Sequence, residues 1–121
     1  MKISFDFDNT LSLKEIQKLA TFYIESGADV WILTSRFDDW AFDQTGTRYR
    51  SLNFNVELRK IASELGIPND KILYTNGGLK KDLFLEHKFD FHYDDDKEEV
   101  DAINKVGTAF LIGYEIRYNN F

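Results

Sequence analysis

The chain contains no cysteine, which excludes disulfides and thiolate metal sites and leaves oxygen donors as the metal ligands on offer. That usage suits a reducing compartment. No apolar run approaches the roughly 18 residues needed to span a bilayer, and the start lacks the basic-then-apolar pattern of a signal peptide. A cytoplasmic protein without membrane contact is expected. Basic excess is missing too. The formal charge is −6 and the isoelectric point is near 4.8, which argues against unspecific nucleic-acid binding through a broad basic face, though not against a local basic cluster. Internal repeats, low-complexity tracts and linkers are also absent from the sequence.

What is present is enough apolar material for one core. With 121 residues, 43% of them hydrophobic and 16% aromatic, the chain suffices for a single domain over residues 1–121 and leaves little room for a second. Ile3, Phe5 and Phe7 mark a strand buried on both faces, and it ends in two carboxylates one residue apart, Asp6 and Asp8, followed by Thr10. Ligands of open α/β sheets bind at that carboxyl end.

The rest of the chain alternates. Ser12-Leu13-Lys14-Glu15 fits a capping box before a helical run of Ile16, Leu19, Ala20, Tyr23 and Ile24, which Gly27 stops. Asp29 to Leu33 reads as a second buried strand ending at Thr34-Ser35-Arg36. From Phe37 to Asn53 no period is clean around Thr45-Gly46-Thr47, so a loop with at most one helical turn is expected. Leu58, Ile61, Ala62 and Leu65 restore the helical period until Gly66 and Pro68, the only proline, end it. A strand over Lys71–Thr75, a turn at Asn76-Gly77-Gly78, a helix over Leu79–His87 and a strand over Phe89–Tyr93 follow. That strand delivers Asp94-Asp95-Asp96. A helix with Val100 and Ile103 then leads to a fifth strand, Thr108–Ile112. Right-handed crossovers turn this alternation into a parallel sheet covered by helices.

Four polar sets therefore stand at strand ends or a helix start: Asp6 with Asp8, then Thr34, then Lys80-Lys81, then Asp94-Asp95-Asp96. In that order they resemble the haloacid dehalogenase (HAD) superfamily of phosphotransferases, over Ile3 to about Ile112. The resemblance implies a Rossmannoid three-layer sandwich whose five parallel strands run in the order 5-4-1-2-3. Only Leu11 separates Thr10 from Ser12, and only Asn76-Gly77-Gly78-Leu79 occupies the other usual cap position, so no cap domain is expected.

The chemistry suits these residue types. Phosphoryl transfer needs an in-line nucleophile and dense positive charge around the equatorial oxygens. Mg²⁺ takes oxygen ligands, usually few of them carboxylates, so Asp6 with one or two acids of the later run suffices. Held against the metal, Asp6 stays ionised and can attack phosphorus. The resemblance implies that Asp8 is general acid and then base, and that its backbone carbonyl joins the metal shell. By the same resemblance Thr34 hydrogen-bonds a phosphoryl oxygen, and a lysine pairs phosphate with nucleophile.

The lysine is Lys80 or Lys81. Lys80 is favoured because Lys80-x-Asp82-Leu83-Phe84 is similar to the phosphatase domains of polynucleotide kinase/phosphatases. Asp94 with Asp95 is the favoured acidic pair, and Asp95 with Asp96 the alternative register, with Asp96 expected to cap the following helix. His92 reads as a strand residue with one satisfied nitrogen, and neither it nor His87 is assigned chemistry. Thr10, Ser35, Arg36, Arg48 and Arg50 are the expected substrate contacts. Arginines beside Trp40, Phe42 and Tyr49 suit a nucleotide or nucleic-acid end, although Trp40 and Phe42 would equally close the core edge.

The expected activity is an Mg²⁺-dependent phosphomonoesterase acting through an aspartyl-phosphate on a phosphorylated small molecule or nucleotide end. A receiver domain uses the same residue types but places its lysine last, and here the lysine precedes the acidic run. A catalytically silent HAD-like binding module is the other alternative.

Overall fold

Strand formation follows the apolar runs. In β1 (Lys2–Phe5) and β2 (Asp29–Thr34), Ile3, Phe5, Ile32 and Leu33 are fully buried, each contributing roughly 1.5–3 kcal/mol against the cost of ordering the chain. A computed structural model describes residues 1–38, 40–42, 45–50 and 55–113, with the backbone alone at 40–42 and 48–50. The remaining elements are α1 (Lys14–Glu25), β3 (Trp40–Phe42), β4 (Arg48–Arg50), α2 (Val56–Leu65), β5 (Ile72–Tyr74), α3 (Lys81–Glu86), β6 (Phe91–Asp94), α4 (Lys97–Asn104) and β7 (Ala109–Leu111).

The main sheet is all parallel, in the order β5-β2-β1-β6-β7. Counting only its own strands, this is the expected 5-4-1-2-3 order seen from the opposite edge. β1 is central. The chain first winds outward to β5 and then returns to β6 on the other side of β1, so β1 and β6 flank the switch point where the following connections diverge.

Strand parity sorts the side chains into two cores. Ile3, Phe5, Val30 and Ile32 join Ile16 and Ala20 of α1 and Leu58 and Ala62 of α2 in one cluster. Leu33, Phe84 of α3, and Val100 and Ile103 of α4 form the other, with Phe89 and Ala109. Successive strand residues point to opposite faces, so Ser4 and Asp6 leave the first face to Ile3 and Phe5. Among the described residues no helix is long and apolar enough to cross a membrane.

Two local expectations are corrected. Within the 37–53 segment the chain forms an antiparallel hairpin instead of a loop, with Trp40 opposite Arg50, Ala41 opposite Tyr49 and Phe42 opposite Arg48. Three-residue strands are too short to show a period, and Gly46, in the connection between them, takes φ +83°, where glycine is favoured. The second correction is the capping box. Ser12 Oγ accepts the backbone N–H of Asn9 at 3.1 Å, and α1 has Leu13 at its N-cap with no side-chain cap. The hydroxyl is taken by a wide turn over Phe7–Leu11 that the alternating apolar pattern conceals. Residues 114–121, which showed no period, lie outside the described residues, as do 39, 43–44 and 51–54.

Gly107, after α4, permits a close approach. A Cβ there would lie 2.4 Å from Cε1 of Phe84, whose ring is buried in the second core. Gly107→Ala should therefore lower stability by about 1–3 kcal/mol, the usual cost of overpacking, measured by urea denaturation. An unchanged midpoint would mean that Phe84 yields freely.

Candidate active site

The carboxyl ends of β1 and β6 deliver the acids. Asp6 extends the β1–β6 ladder by donating its N–H to the carbonyl of Tyr93 at 2.9 Å. Immediately after it, Asn9 adopts a left-handed conformation at φ +55°, which asparagine tolerates better than most residues. The turn so made separates the two motif acids. Asp6 is buried, while the side chain of Asp8 is 53% exposed.

Lys80 lies at the N-cap of α3 and is 2% exposed. Its ammonium donates to Asp6 Oδ1 at 3.0 Å and to Asp94 Oδ2 at 2.5 Å. Glu99 of α4 adds a third acid, accepting the Lys80 backbone N–H at 3.3 Å and lying 3.6 Å from Nζ. Lys81 is part-exposed, so geometry singles out Lys80. Asp6, Asp94 and Asp95 offer carboxylate oxygens that all lie within 4.8 Å of one another. Asp96 stands apart from this set, capping α4 by accepting the Glu98 N–H at 2.9 Å.

Three hard oxygen donors at this spacing, with no sulfur nearby, fit Mg²⁺, which keeps several waters beside a few carboxylates. The charge balance fits as well. Burial, and then the charge of Asp94, push Asp6 up to about 8 despite Lys80. Burial opposes the charge of Asp94 too, yet His92 and Lys80 hold it below the usual carboxylate range. Burial disfavours the ammonium of Lys80, but Asp6 and Asp94 raise it above its ordinary value. The buried acids thus outnumber the one lysine, and Asp6 carries the excess as a proton.

The other expected residues occupy varied positions. Thr10 is fully buried and reaches Asp95 Oδ1 at 3.5 Å. Thr34 is fully buried, and its Oγ1 accepts the Arg36 N–H at 3.2 Å. Ser35 is exposed. Arg36 forks onto Asp8, with Nη2 to Oδ1 at 2.7 Å and Nε to Oδ2 at 2.9 Å, and its guanidinium lies 4.9 Å from the Phe7 ring centroid. The Asp8 side chain is therefore not one of the clustered acids; it stands with Arg36 at the rim. Arg48 and Arg50 lie on β4, where their side chains are outside the described residues, as are those of Trp40, Phe42 and Tyr49.

Ser4, His92 and Glu99 escaped sequence reasoning. Ser4 Oγ lies 2.7 Å from His92 Nδ1, and His92 Nε2 lies 2.8 Å from Asp94 Oδ2, so both ring nitrogens are engaged instead of the expected one. A signal existed in retrospect: polar residues at positions of strands that read as buried on both faces. Glu99 follows the N-cap Asp96 by three residues, the place of a capping-box acid, but it turns to Lys80 instead. No protein-family model matches the chain, and neither does any curated protein.

The buried proton sets a pH dependence. Folded Asp6 keeps it up to about pH 8, whereas an unfolded aspartate releases it near 3.9, so stability falls as pH rises through that window. Glu99, raised chiefly by burial, acts in the same direction. His92, lowered by burial, acts oppositely, but only below about pH 6.5, where the unfolded imidazole is charged. In EDTA the protein should lose about 1–2 kcal/mol between pH 6.5 and 8.5, read from urea midpoints. Asp6→Asn should flatten that slope and exceed the parent in stability at pH 8.5. A slope unchanged by the substitution would place the proton on another group.

Proposed function

We propose that this chain is an HAD-type phosphohydrolase core without a cap domain, releasing phosphate from a monoester through an aspartyl-phosphate on Asp6. The observation that carries the reading is the buried ammonium of Lys80 between Asp6 and Asp94, with Asp95 alongside, at the carboxyl ends of the two central strands. Asp6, Asp94 and Asp95 would hold Mg²⁺, which when bound supplies positive charge against the phosphoryl oxygens and allows Asp6 to shed its proton.

The chain's own residues do the rest. An Asp6 oxygen attacks phosphorus in line while Lys80 offsets the charge of the group being transferred. As the ester P–O bond breaks, Asp8 gives a proton to the leaving oxygen. Asp8 then takes a proton from water as the water oxygen attacks phosphorus, and the departure of phosphate restores the Asp6 carboxylate. Thr34 holds a phosphoryl oxygen. Arg36 binds Asp8 in the resting site, and a guanidinium that already forks onto a carboxylate is shaped to fork onto phosphate. Exchange of one for the other frees the Asp8 carboxylate to take up a proton, from water or from the monoester monoanion, and this is the proton it gives to the leaving oxygen.

The test is phosphate release from an aryl phosphate with Mg²⁺ and with EDTA, followed by a panel of nucleotides, phosphosugars, phosphopeptides and end-phosphorylated oligonucleotides. Activity should require Mg²⁺ and vanish in Asp6→Asn. Asp8→Asn should cost several orders of magnitude, less for a good leaving group, with metal binding retained. Full activity in Asp6→Asn would rule out Asp6 as the nucleophile. The pairing of Asp8 with Arg36 favours a second reading, a silent binding module, and absence of release from every substrate would select it.

A nucleotide or nucleic-acid end is the finer proposal, resting on Arg48 and Arg50 beside aromatic residues. Replacing both arginines by alanine should raise KM for that substrate and leave the rate on an aryl phosphate unchanged, because the small ester has nothing for them to hold. Equal loss on both substrates would point to a structural role.

A further inference from the structure

The centre of the sheet contains a polar pair that the proposed reaction does not use. Ser4 of β1 and His92 of β6 are register partners across the ladder, and both are fully inaccessible. One step earlier in the same ladder Ile3 faces Phe91. An apolar pair at Ser4 and His92 would avoid the cost of burying a hydroxyl and an imidazole.

What the polar pair provides is a fixed hydrogen-bond direction. Asp94 beside the ammonium of Lys80 is a carboxylate and only accepts, so His92 Nε2 must carry the proton across the 2.8 Å contact. A neutral ring protonated at Nε2 accepts at Nδ1, which makes the Ser4 hydroxyl the donor across 2.7 Å. Asp94 Oδ2 then receives both His92 and Lys80, while Oδ1 receives the Asp96 N–H at 3.0 Å. A carboxylate has about four acceptor sites. Three are filled, and the capacity to spare lies on Oδ1.

We infer that Ser4 and His92 are a positioning pair that locks the orientation of Asp94, keeping Oδ2 on Lys80 and leaving Oδ1 as the oxygen that can take a cation. The purpose of the pair rests on the phosphohydrolase reading above; its wiring does not. Strand parity supports the assignment, since Ser4 precedes Asp6 by two residues and His92 precedes Asp94 by two, so the pair lies on the same face of the sheet as both acids.

The test uses the full chain with Ser4→Ala, His92→Gln and His92→Leu. Glutamine can present an amide N–H where Nε2–H stood; leucine presents none. In metal-free protein, ¹⁵N NMR of the His92 ring should show the Nε2–H tautomer, and Ser4→Ala should keep it, because Asp94 alone sets it. By Mn²⁺ electron paramagnetic resonance, His92→Leu should bind the ion about tenfold or more weakly, as is usual when a partner of a metal ligand is lost. His92→Gln should recover most of the affinity. Turnover of an aryl phosphate by His92→Leu should need more Mg²⁺ and recover at saturating Mg²⁺, which a general packing defect would not do.

An Nδ1–H tautomer in the parent, no Mn²⁺ binding by the parent, or equal Mn²⁺ affinity in parent and variants overturns the inference. If His92→Leu fails to fold, Ser4→Ala carries the same two readouts, with weaker Mn²⁺ binding expected and parental affinity refuting. The two readings separate cleanly. Graded Mn²⁺ affinity without any phosphate release keeps the pair and removes the phosphohydrolase, whereas phosphate release with ungraded affinity does the reverse.

Discussion

An ammonium taken out of water costs several kcal/mol unless it is paired and hydrogen-bonded, and Lys80 is both. Its partners come from three different elements: Asp6 after β1, Asp94 at the end of β6, and Glu99 in α4. The requirement to surround one Nζ therefore fixes how the end of the central strand, its neighbour and the covering helix meet. Removing the one ammonium would leave the buried acids uncompensated, a loss of about 3–5 kcal/mol where the pair is fully enclosed. The acids also exceed what one lysine can balance. That surplus makes the cluster costly without a further positive charge, and it places a proton on Asp6.

The sheet accommodates this cluster by dividing its faces. In β1 and β6 the odd-numbered residues Ile3, Phe5, Phe91 and Tyr93 pack against the first core, where Phe5 and Tyr93 stack at 5.0 Å and the hydroxyls of Tyr23 and Tyr93 meet at 2.8 Å. The even-numbered residues Ser4, Asp6, His92 and Asp94 carry the hydrogen-bonded chain to Lys80. Because the side-chain period of a strand is two, one face is left free to pack and the other to hold polar groups. A slip of one residue between β1 and β6 would bury Phe5 among carboxylates and put Asp6 among aromatics.

What could be seen in the sequence is what repeats or sits at an end. Buried strands announce themselves by apolar runs, helices by the spacing of Ile16, Ala20, Leu58 and Ala62, and the parallel sheet by handed crossovers between them, whereas the strand order was only what the motif resemblance implied. Asp6, Lys80 and Asp94 were legible because they stand where strands finish or a helix starts. The Ser4–His92 contact spans 88 residues and the Arg36–Asp8 pair 28, so no local window contains either. Glu99 was masked by a plausible local role in its own helix. The hairpin failed for a different reason, its three-residue strands being shorter than any period that could reveal them.

The two halves of the site differ in how much they can move. Asp6, Lys80, Asp94 and His92 are all buried and mutually bonded, and in a close-packed interior none can shift without breaking another's contact. Asp8 and Arg36 stand outside, with side chains 53% and 27% exposed, where an ion pair is worth only about 0–1 kcal/mol. Exchanging that partner for a phosphate oxygen is therefore cheap, while exchanging one inside the cluster is not. On the phosphohydrolase reading, the inner half fixes the line of attack on phosphorus and the rim makes the adjustments that follow the arrival of substrate.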